Sequence, residues 1–555
     1  MHADRWDALW LCSFLLLVFL VGCVEIEDGD LWWHLRTGQL IAERGELPRT
    51  DWFTYTNPDS PWIDLHWGFQ LIAAWLWAVG GAPALVLTKS LLGTATFALC
   101  LSCRRPQTPW RQAVACWLPS VLIFSGRNQV RPEMFSFLFL AAVLAVLFHQ
   151  RRRPWLVWLL PLTQVLWINV HALFILGLVV WVCFLADAAA HRLIAGGNGP
   201  ISTMADFRRW AGVTALSAAA ALANPYGLQG ATFPFTLLQR IQGGQRKFYR
   251  QFAGEFDGLG DFIQQYGLKG ALTNVTTCMM LLLSMLVLAT FVWLALRRRW
   301  ALFPLLVFAA FAYLAWQASR NSALFALAGG FVLHTNIDEL RPARQPADAR
   351  RFHPGRVLLG SILGLLIAAV PTDIFWMLAH GEMPRRFGLG EVPYAFAHES
   401  ARFLARDGMP RHIFAADQDA AAVCIFHDGP ERRVFADGRL EVNTHETLQR
   451  YRDITEKLKA HAPDVIDNLL ADVEPGPGGT QEVPAVLIDI ATPASLALFS
   501  DPRFRPVFFD DVAFVFLTTE QADHLGLEVV TLTQRALMLH ALKSNNRRIV
   551  VGSAD

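Results

Sequence analysis

The sequence predicts a polytopic α-helical membrane domain of about eleven spans followed by a small α/β soluble domain. Three observations carry this expectation. Residues 1–377 hold long apolar runs separated by short arginine-rich breaks, whereas residues 378–555 read like an ordinary soluble protein. Of the 555 residues, 54% are hydrophobic and only 17% are charged, where globular proteins carry about 25% charged residues. The arginines also fall in alternate loops, as a multi-pass topology requires.

A spanning helix needs about 20 apolar residues. Segments of that character are 7–24, 83–103, 111–126, 133–149, 154–169, 172–190, 210–223, 274–296, 300–318, 321–337 and 356–376. The first has no A-x-A-like cleavage site and further apolar runs follow it, so it reads as an uncleaved helix. The stretch 66–81 is amphipathic and carries His66, Trp67, Trp75 and Trp77. The alternative is a further span, but it is expected to lie along the interface, as aromatic belts do.

With a cytoplasmic N-terminus, five loops face the cytoplasm. They carry Arg104, Arg105 and Arg111; Arg151 to Arg153; Arg192, Arg208 and Arg209; Arg297 to Arg299; and Arg341, Arg344, Arg350, Arg351 and Arg356. All five are basic, as the positive-inside rule demands. The first outer loop is then 25–82, grouped with the membrane domain 1–377, and the domain 378–555 is extracytoplasmic. A net charge of +1 argues against a nucleic-acid partner. Seven of the eight cysteines lie in or beside apolar runs and read as small hydrophobes. Cys100 and Cys103 form a C-x-x-C without a second pair, and Cys424 alone cannot build a disulfide framework.

This topology places the unusual polar segments on the outer side, where they are expected to line one cavity. Ionisable groups at membrane depth are expensive and point to a functional site. Glu25, Glu27, Asp28 and Asp30 follow the first helix directly. They can hold a divalent cation (Mg or Mn, on Asp28 and Asp30) or supply a general base. The alternative is a solvated acidic cap, which the neighbouring Trp32, Trp33 and His34 disfavour. Arg127, Arg131 and Arg320 suit phosphate, which guanidinium groups grip bidentately. Their alternative role is snorkelling to lipid headgroups. Trp33, His34, His66, Asn169, His171 and Asn321 are further substrate-binding candidates. Each histidine has the alternative of an interfacial residue bonded to backbone. The charged outer loop 224–273, with Arg240, Arg246, Lys247, Arg250, Glu255 and Asp257, reads as an amphipathic surface segment.

In the soluble domain, helices are expected at 393–406, 444–460, 463–472 and 492–500. Strands are expected near 412–416, 432–436, 483–490, 505–509 and 512–518, the last two as an antiparallel pair. Asp437-Gly438-Arg439 reads as a turn and PGPGG (475–479) as a surface loop. No G-x-G-x-x-G follows a strand, so no nucleotide fingerprint is present.

Several strings resemble a family of bacterial membrane proteins described as glycosyltransferases of the GT-C type. They are DGDLWWHLRTGQLIAERGELPRTDWFTYT (28–56), W-x-x-x-H-W (62–67), RPEMFSFLF (131–139), LWINVHALFILGL (166–178), LANPYGL (222–228) and SRNSALFAL (319–327). RRVFADGRLEV (432–442), a following helix with Tyr451, and DDVAFVFL (510–517) continue the likeness into the soluble domain. The resemblance implies a bacterial inner-membrane enzyme that takes a sugar from a polyprenyl-phosphate or pyrophosphate donor at the outer leaflet. The acceptor would be a glycan, a lipid or a protein. GT-C enzymes carry one or two acidic residues just after the first helix, and Asp28 and Asp30 stand there as D-x-D. Asp30 or Asp28 would then be the base, and Arg131 and Arg320, with Arg127, the phosphate hold. The soluble domain does not resemble the W-W-D-bearing domain of oligosaccharyltransferases, so neither the acceptor nor a metal requirement carries over. A non-catalytic transport or assembly partner in envelope polysaccharide biogenesis is the competing expectation, and it predicts that Asp28 and Asp30 are dispensable together.

Overall fold

The structure, a computed structural model, describes residues 5–194, 201, 203–242, 248–249, 256–299, 301–341, 354–380, 385–462, 467, 469, 483–492, 494–534 and 536. Most of the expected helix 463–472, the PGPGG loop, Arg344, Arg350, Arg351, Arg246, Lys247, Arg250, Glu255 and the Arg240 side chain lie outside the described residues. The chain divides into two compact units, 1–26 with 79–390 and 27–78 with 391–555. The loop expected to belong with the spanning helices thus folds with the C-terminal domain.

The first unit is helical. Each of the eleven segments expected to span lies in or overlaps a helix. Among the described residues four helices are long and apolar enough to cross a membrane: Trp67–Ser102, Ala172–Leu193, Val275–Leu296 and Pro354–Thr372. Asp7–Gly22, Glu133–His149, Pro154–Ile168 and Leu302–Gln317 are shorter apolar helices. Apolar side chains such as Leu288, Val292, Leu296, Leu358 and Leu365 stand exposed, as lipid-facing residues do. The helix Ser322–Leu340 is buried along most of its length and packs against Trp110–Ser125, Val275–Leu296 and Leu302–Gln317. A side chain at Gly330 would meet Ser120 Oγ at 2.4 Å and the Trp117 ring at 2.6 Å, so only glycine allows that close approach. Among the described residues of 224–273 are the helices Gly227–Gln242 and Leu259–Thr273.

The second unit is α/β. Strands β1 (His412–Ala415), β2 (Arg433–Val434), β3 (Ala485–Asp489), β4 (Phe504–Phe509) and β5 (Ala513–Thr518) form one sheet in the order β2-β1-β3-β5-β4. β1 runs parallel to β2 and β3, and β5 runs antiparallel to β3 and β4. The inner strands β1, β3 and β5 are nearly all apolar because both faces are covered. The edge at β2 is closed by the loop. Val434 N donates to Phe53 O at 2.8 Å, and Tyr55 N donates to Val434 O at 3.1 Å. This backbone pairing satisfies an otherwise open sheet edge and ties 27–78 to the soluble domain.

The helix Gln418–Asp428 was not expected. Its centre, Ala420 to Ile425, is entirely buried, so it shows no polar face to betray its period. It packs against Asp30–Arg44. The helix that starts at Trp67 breaks at Gly80 and Gly81, where Gly81 adopts φ 58°, and resumes to Ser102. The backbone thus separates 67–79 from the following apolar run.

Candidate functional site

The predicted site residues fall in both units. Asp28, Asp30, Trp33, His34 and His66 belong to the unit that holds the soluble domain. Arg127, Arg131, Asn169, His171, Arg320 and Asn321 belong to the helical unit.

Asp30 opens the helix Asp30–Arg44. Its amide donates to Asp28 Oδ1 at 3.2 Å, and its own Oδ1 accepts from Trp33 Nε1 at 3.3 Å. Carboxylates are favoured at such a helix start by the macrodipole. A Cβ on Gly438 would lie 2.7 Å from Asp30 Oδ1, so the Asp437-Gly438-Arg439 segment passes against this carboxylate. Asp28 is buried and Asp30 is partly open to solvent. Trp33 is buried beside His34, with ring centroids 3.6 Å apart. Its indole therefore orients Asp30. Trp32 is enclosed by Trp77, Phe396, His398 and Phe426 and serves the core.

His34 is buried, with Nδ1 3.3 Å from Gln70 Nε2. His66 lies 5.5 Å from it, centroid to centroid, and keeps some exposure. The His66 amide donates to Asp64 Oδ1 at 2.9 Å, and the His66 ring Nδ1 stands 3.6 Å from the same oxygen. Asp64 is fully buried. Burial pushes its carboxyl up to about 7, against the pull of the His66 amide, Gln70 and Arg439. A carboxyl raised on folding adds stability that is complete below its unfolded value of 3.8 and is lost as pH rises through about 7. Asp64→Asn is therefore expected to flatten the decline in this unit's stability between about pH 4 and pH 7. Unfolding midpoints across that range, compared with wild type, check this; parallel curves would show that Asp64 does not titrate there.

The Asp437-Gly438-Arg439 segment is a bend, as expected, but not a surface turn. Arg439 is 1% exposed and Asp437 is fully buried. Arg439 Nε donates to both Asp437 oxygens at 3.0 Å, and Nη2 donates to Asp51 Oδ1 at 2.7 Å and Asp437 Oδ2 at 2.6 Å. Its guanidinium stacks on Trp62 at 4.5 Å, Phe53 at 5.0 Å and Trp33 at 5.8 Å. Asn443 Nδ2 donates to the Asp437 and Arg439 carbonyls. Asp51 also accepts from the Phe53 and Thr54 amides. The two carboxylates hold Arg439 protonated despite its burial. This network joins the loop to the domain, and reading the sequence alone missed it. Its signal was D-G-R lying inside an apolar stretch, where a solvated turn would be polar on both flanks.

In the helical unit, Arg127 is buried and pairs with Glu133 at 2.8 Å. Arg320 is half-buried over the Phe256 ring at 5.2 Å. Arg131 is half-buried at the start of Glu133–His149. His171 Nδ1 lies 2.7 Å from Ser136 Oγ, which accepts from Trp167 Nε1, and all three side chains are buried. Asn169 donates to the Val165 and Ala223 carbonyls, and Asn321 donates to Leu314 O. These contacts give His171, Asn169 and Asn321 roles in holding helix ends. One cation escaped notice: Lys89 is 2% exposed within an apolar helix, with Nζ 3.1 Å from Val24 O. A lone lysine in a candidate span was the available signal.

Among the described residues no three His, Cys, Asp or Glu side chains converge as a metal site. The pair Asp28 and Asp30 suits Mg or Mn only if water and substrate phosphates supply the remaining ligands.

No family model matches the chain, and no curated protein matches it. Among solved structures it is similar to the oligosaccharyltransferase AglB from the archaeon Archaeoglobus fulgidus, solved with an inhibitory peptide and a dolichol-phosphate. The identity is 12% over 93% of this chain and 75% of that chain, with a TM-score of 0.55. It is also similar to ArnT from Cupriavidus metallidurans in the apo state, at 14% identity over 93% of this chain and 98% of that one, with a TM-score of 0.47. The likeness to AglB shows the fold. With the apolar helices it makes this chain a multi-pass membrane protein with an AglB-like fold.

Proposed function

We propose that this GT-C-like chain is a glycosyltransferase that moves a sugar from a polyprenyl-phosphate-type donor to an extracytoplasmic acceptor. The observation that carries the reading is Asp30, a partly open carboxylate at a helix start, oriented by Trp33 and approached by Gly438. It stands just after the first helix of a chain that shares its fold with AglB, a protein solved with dolichol-phosphate. The chain has about eleven spans, a cytoplasmic N-terminus and its soluble domain outside the bacterial inner membrane. The acceptor is a glycan, a lipid or a protein.

In the proposed step, the acceptor hydroxyl attacks the anomeric carbon while Asp30, or Asp28, takes its proton. The bond from that carbon to the phosphate oxygen breaks, and the electron pair leaves with the phosphate. Arg131 and Arg320 neutralise that leaving group, with Arg127 and the buried Lys89 as further cations. His34 and His66 stand in the second rank for acceptor binding, and Asn169, His171 and Asn321 support the helix ends. A divalent cation, if used, would sit on Asp28 and Asp30.

The test is sugar transfer in proteoliposomes given a polyprenyl phosphate that carries a radiolabelled hexose, wild type against Asp30→Asn. Gly438→Ala is a second probe, because a methyl group there displaces the Asp30 carboxylate. A misplacement of that kind costs about 10²-fold in rate. Initial transfer rates at equal protein level read this out, and a wild-type rate would remove Asp30 from the chemistry.

A further inference from the structure

The soluble-domain unit carries an open cleft of about 580 Å³ that none of the predicted site residues lines. Its size falls within the range of small-ligand clefts, about 300–1,000 Å³. Tyr394, Phe508 and Phe509 supply aromatic surface, and Glu399, Asp510 and Asp511 supply carboxylates. Tyr394 is 44% exposed and holds φ 62°, a backbone conformation that a bulky residue keeps only where its surroundings impose it. Phe508 is fixed by stacking on Phe403, centroids 4.4 Å apart and planes 10° from parallel. Asp510 is fixed by accepting the Ser400, Val512 and Ala513 amides at 2.8 to 2.9 Å.

Among the described residues no lysine or arginine lines the cleft. Its other titratable wall is His398, held between Glu391 at 3.1 Å and His427 at 2.9 Å. A carboxylate only accepts, so His398 Nε2 carries the proton that faces Glu391. His427 Nε2 meets His398 Nδ1 on the ring's other side. Burial, with His398 and Arg402 nearby, pushes His427 down to about 4, so it brings no positive charge near neutral pH. Arg402 stands beside this lining and is engaged by Glu399, so phosphates, sulfates and uronates meet the Asp510 and Asp511 carboxylates with no lysine or arginine among the described lining residues.

We propose that this cleft binds a neutral saccharide, the sugar end of a glycan acceptor. A pyranose ring has an apolar C–H face that packs on aromatic rings, and its hydroxyls donate to carboxylates. The pattern of aromatic platforms and fixed acceptors, with no lysine or arginine among the described lining residues, matches that chemistry. The identification of the ligand as acceptor rests on the glycosyl-transfer reading; the binding itself does not.

The experiment is calorimetric titration of the full-length protein in detergent with chitotetraose, maltotetraose and a sulfated heparin tetrasaccharide. At least one neutral sugar is expected to bind and the sulfated one not. Tyr394→Ala and Asp511→Asn should each weaken binding at least about tenfold with an unchanged unfolding temperature. Absence of binding to both neutral sugars, wild-type affinity in both variants, or preference for the sulfated sugar overturns the proposal. Asp30→Asn protein should still bind the neutral sugar. Sugar binding without any transfer sinks the transfer reading alone, and Asp30-dependent transfer without sugar binding sinks the cleft alone.

Discussion

Arg439→Met is expected to destabilise the soluble-domain unit by about 3–5 kcal/mol, the cost of breaking a buried ion pair from one side. The arginine is buried among Trp62, Phe53 and Trp33 and donates to both Asp51 and Asp437. Removing it leaves two carboxylates facing each other without a cation, close to Asp64 and Glu441. Glu441 is already pushed up to about 7 by burial, with Asp64 and Asp437 adding to the rise. The loss should appear as faster amide exchange and protease cleavage in both 27–78 and 391–534, because the network joins these segments. A triple variant that also carries Asp51→Asn and Asp437→Asn should recover much of the stability, since no unpaired charge then remains. Unchanged protection in Arg439→Met would mean that the pairing with Phe53 and Tyr55 at the sheet edge holds the loop unaided.

Asp30→Asn is expected to lower transfer by about 10²–10⁴-fold, the usual contribution of a positioned general base. The replacement is nearly isosteric, and its amide oxygen still accepts from the Trp33 indole, so the fold should be unaffected. It removes only the capacity to take a proton. Asp28→Asn should cost less, because Asp28 is buried and its oxygen serves the Asp30 amide, a bond that an amide oxygen can also accept. The order of the two effects separates a base at Asp30 from a symmetric metal pair, in which either loss would be equally severe.

Most of the helices and strands were legible because their period or their apolar length is local. β1, β3 and the β4–β5 pair stand where runs of apolar residues and turn signals put them. The assignment of 27–78 was not legible. It depends on Val434 pairing with Phe53 and Tyr55 across nearly four hundred residues, and no local pattern encodes such a partner. The buried role of Arg439 was hidden for the same reason, since its carboxylate Asp51 lies in the loop. Asp30 was visible from its place after the first helix, but Gly438 as its neighbour was not. His34 and His171 show the opposite outcome: both look reactive in the sequence, and both are buried and bonded to Gln70 and Ser136. Lys89 was legible in principle and was masked by the apolar run around it.

The most direct measurement is release of free polyprenyl phosphate from a hexose-loaded lipid donor in proteoliposomes that contain the purified chain. Wild-type protein should release it with matching sugar transfer to the acceptor fraction, and Asp30→Asn protein should release almost none. Donor turnover that is absent with wild type, or equal in the two proteins, would contradict a glycosyltransferase whose base is Asp30 and favour a non-catalytic membrane component.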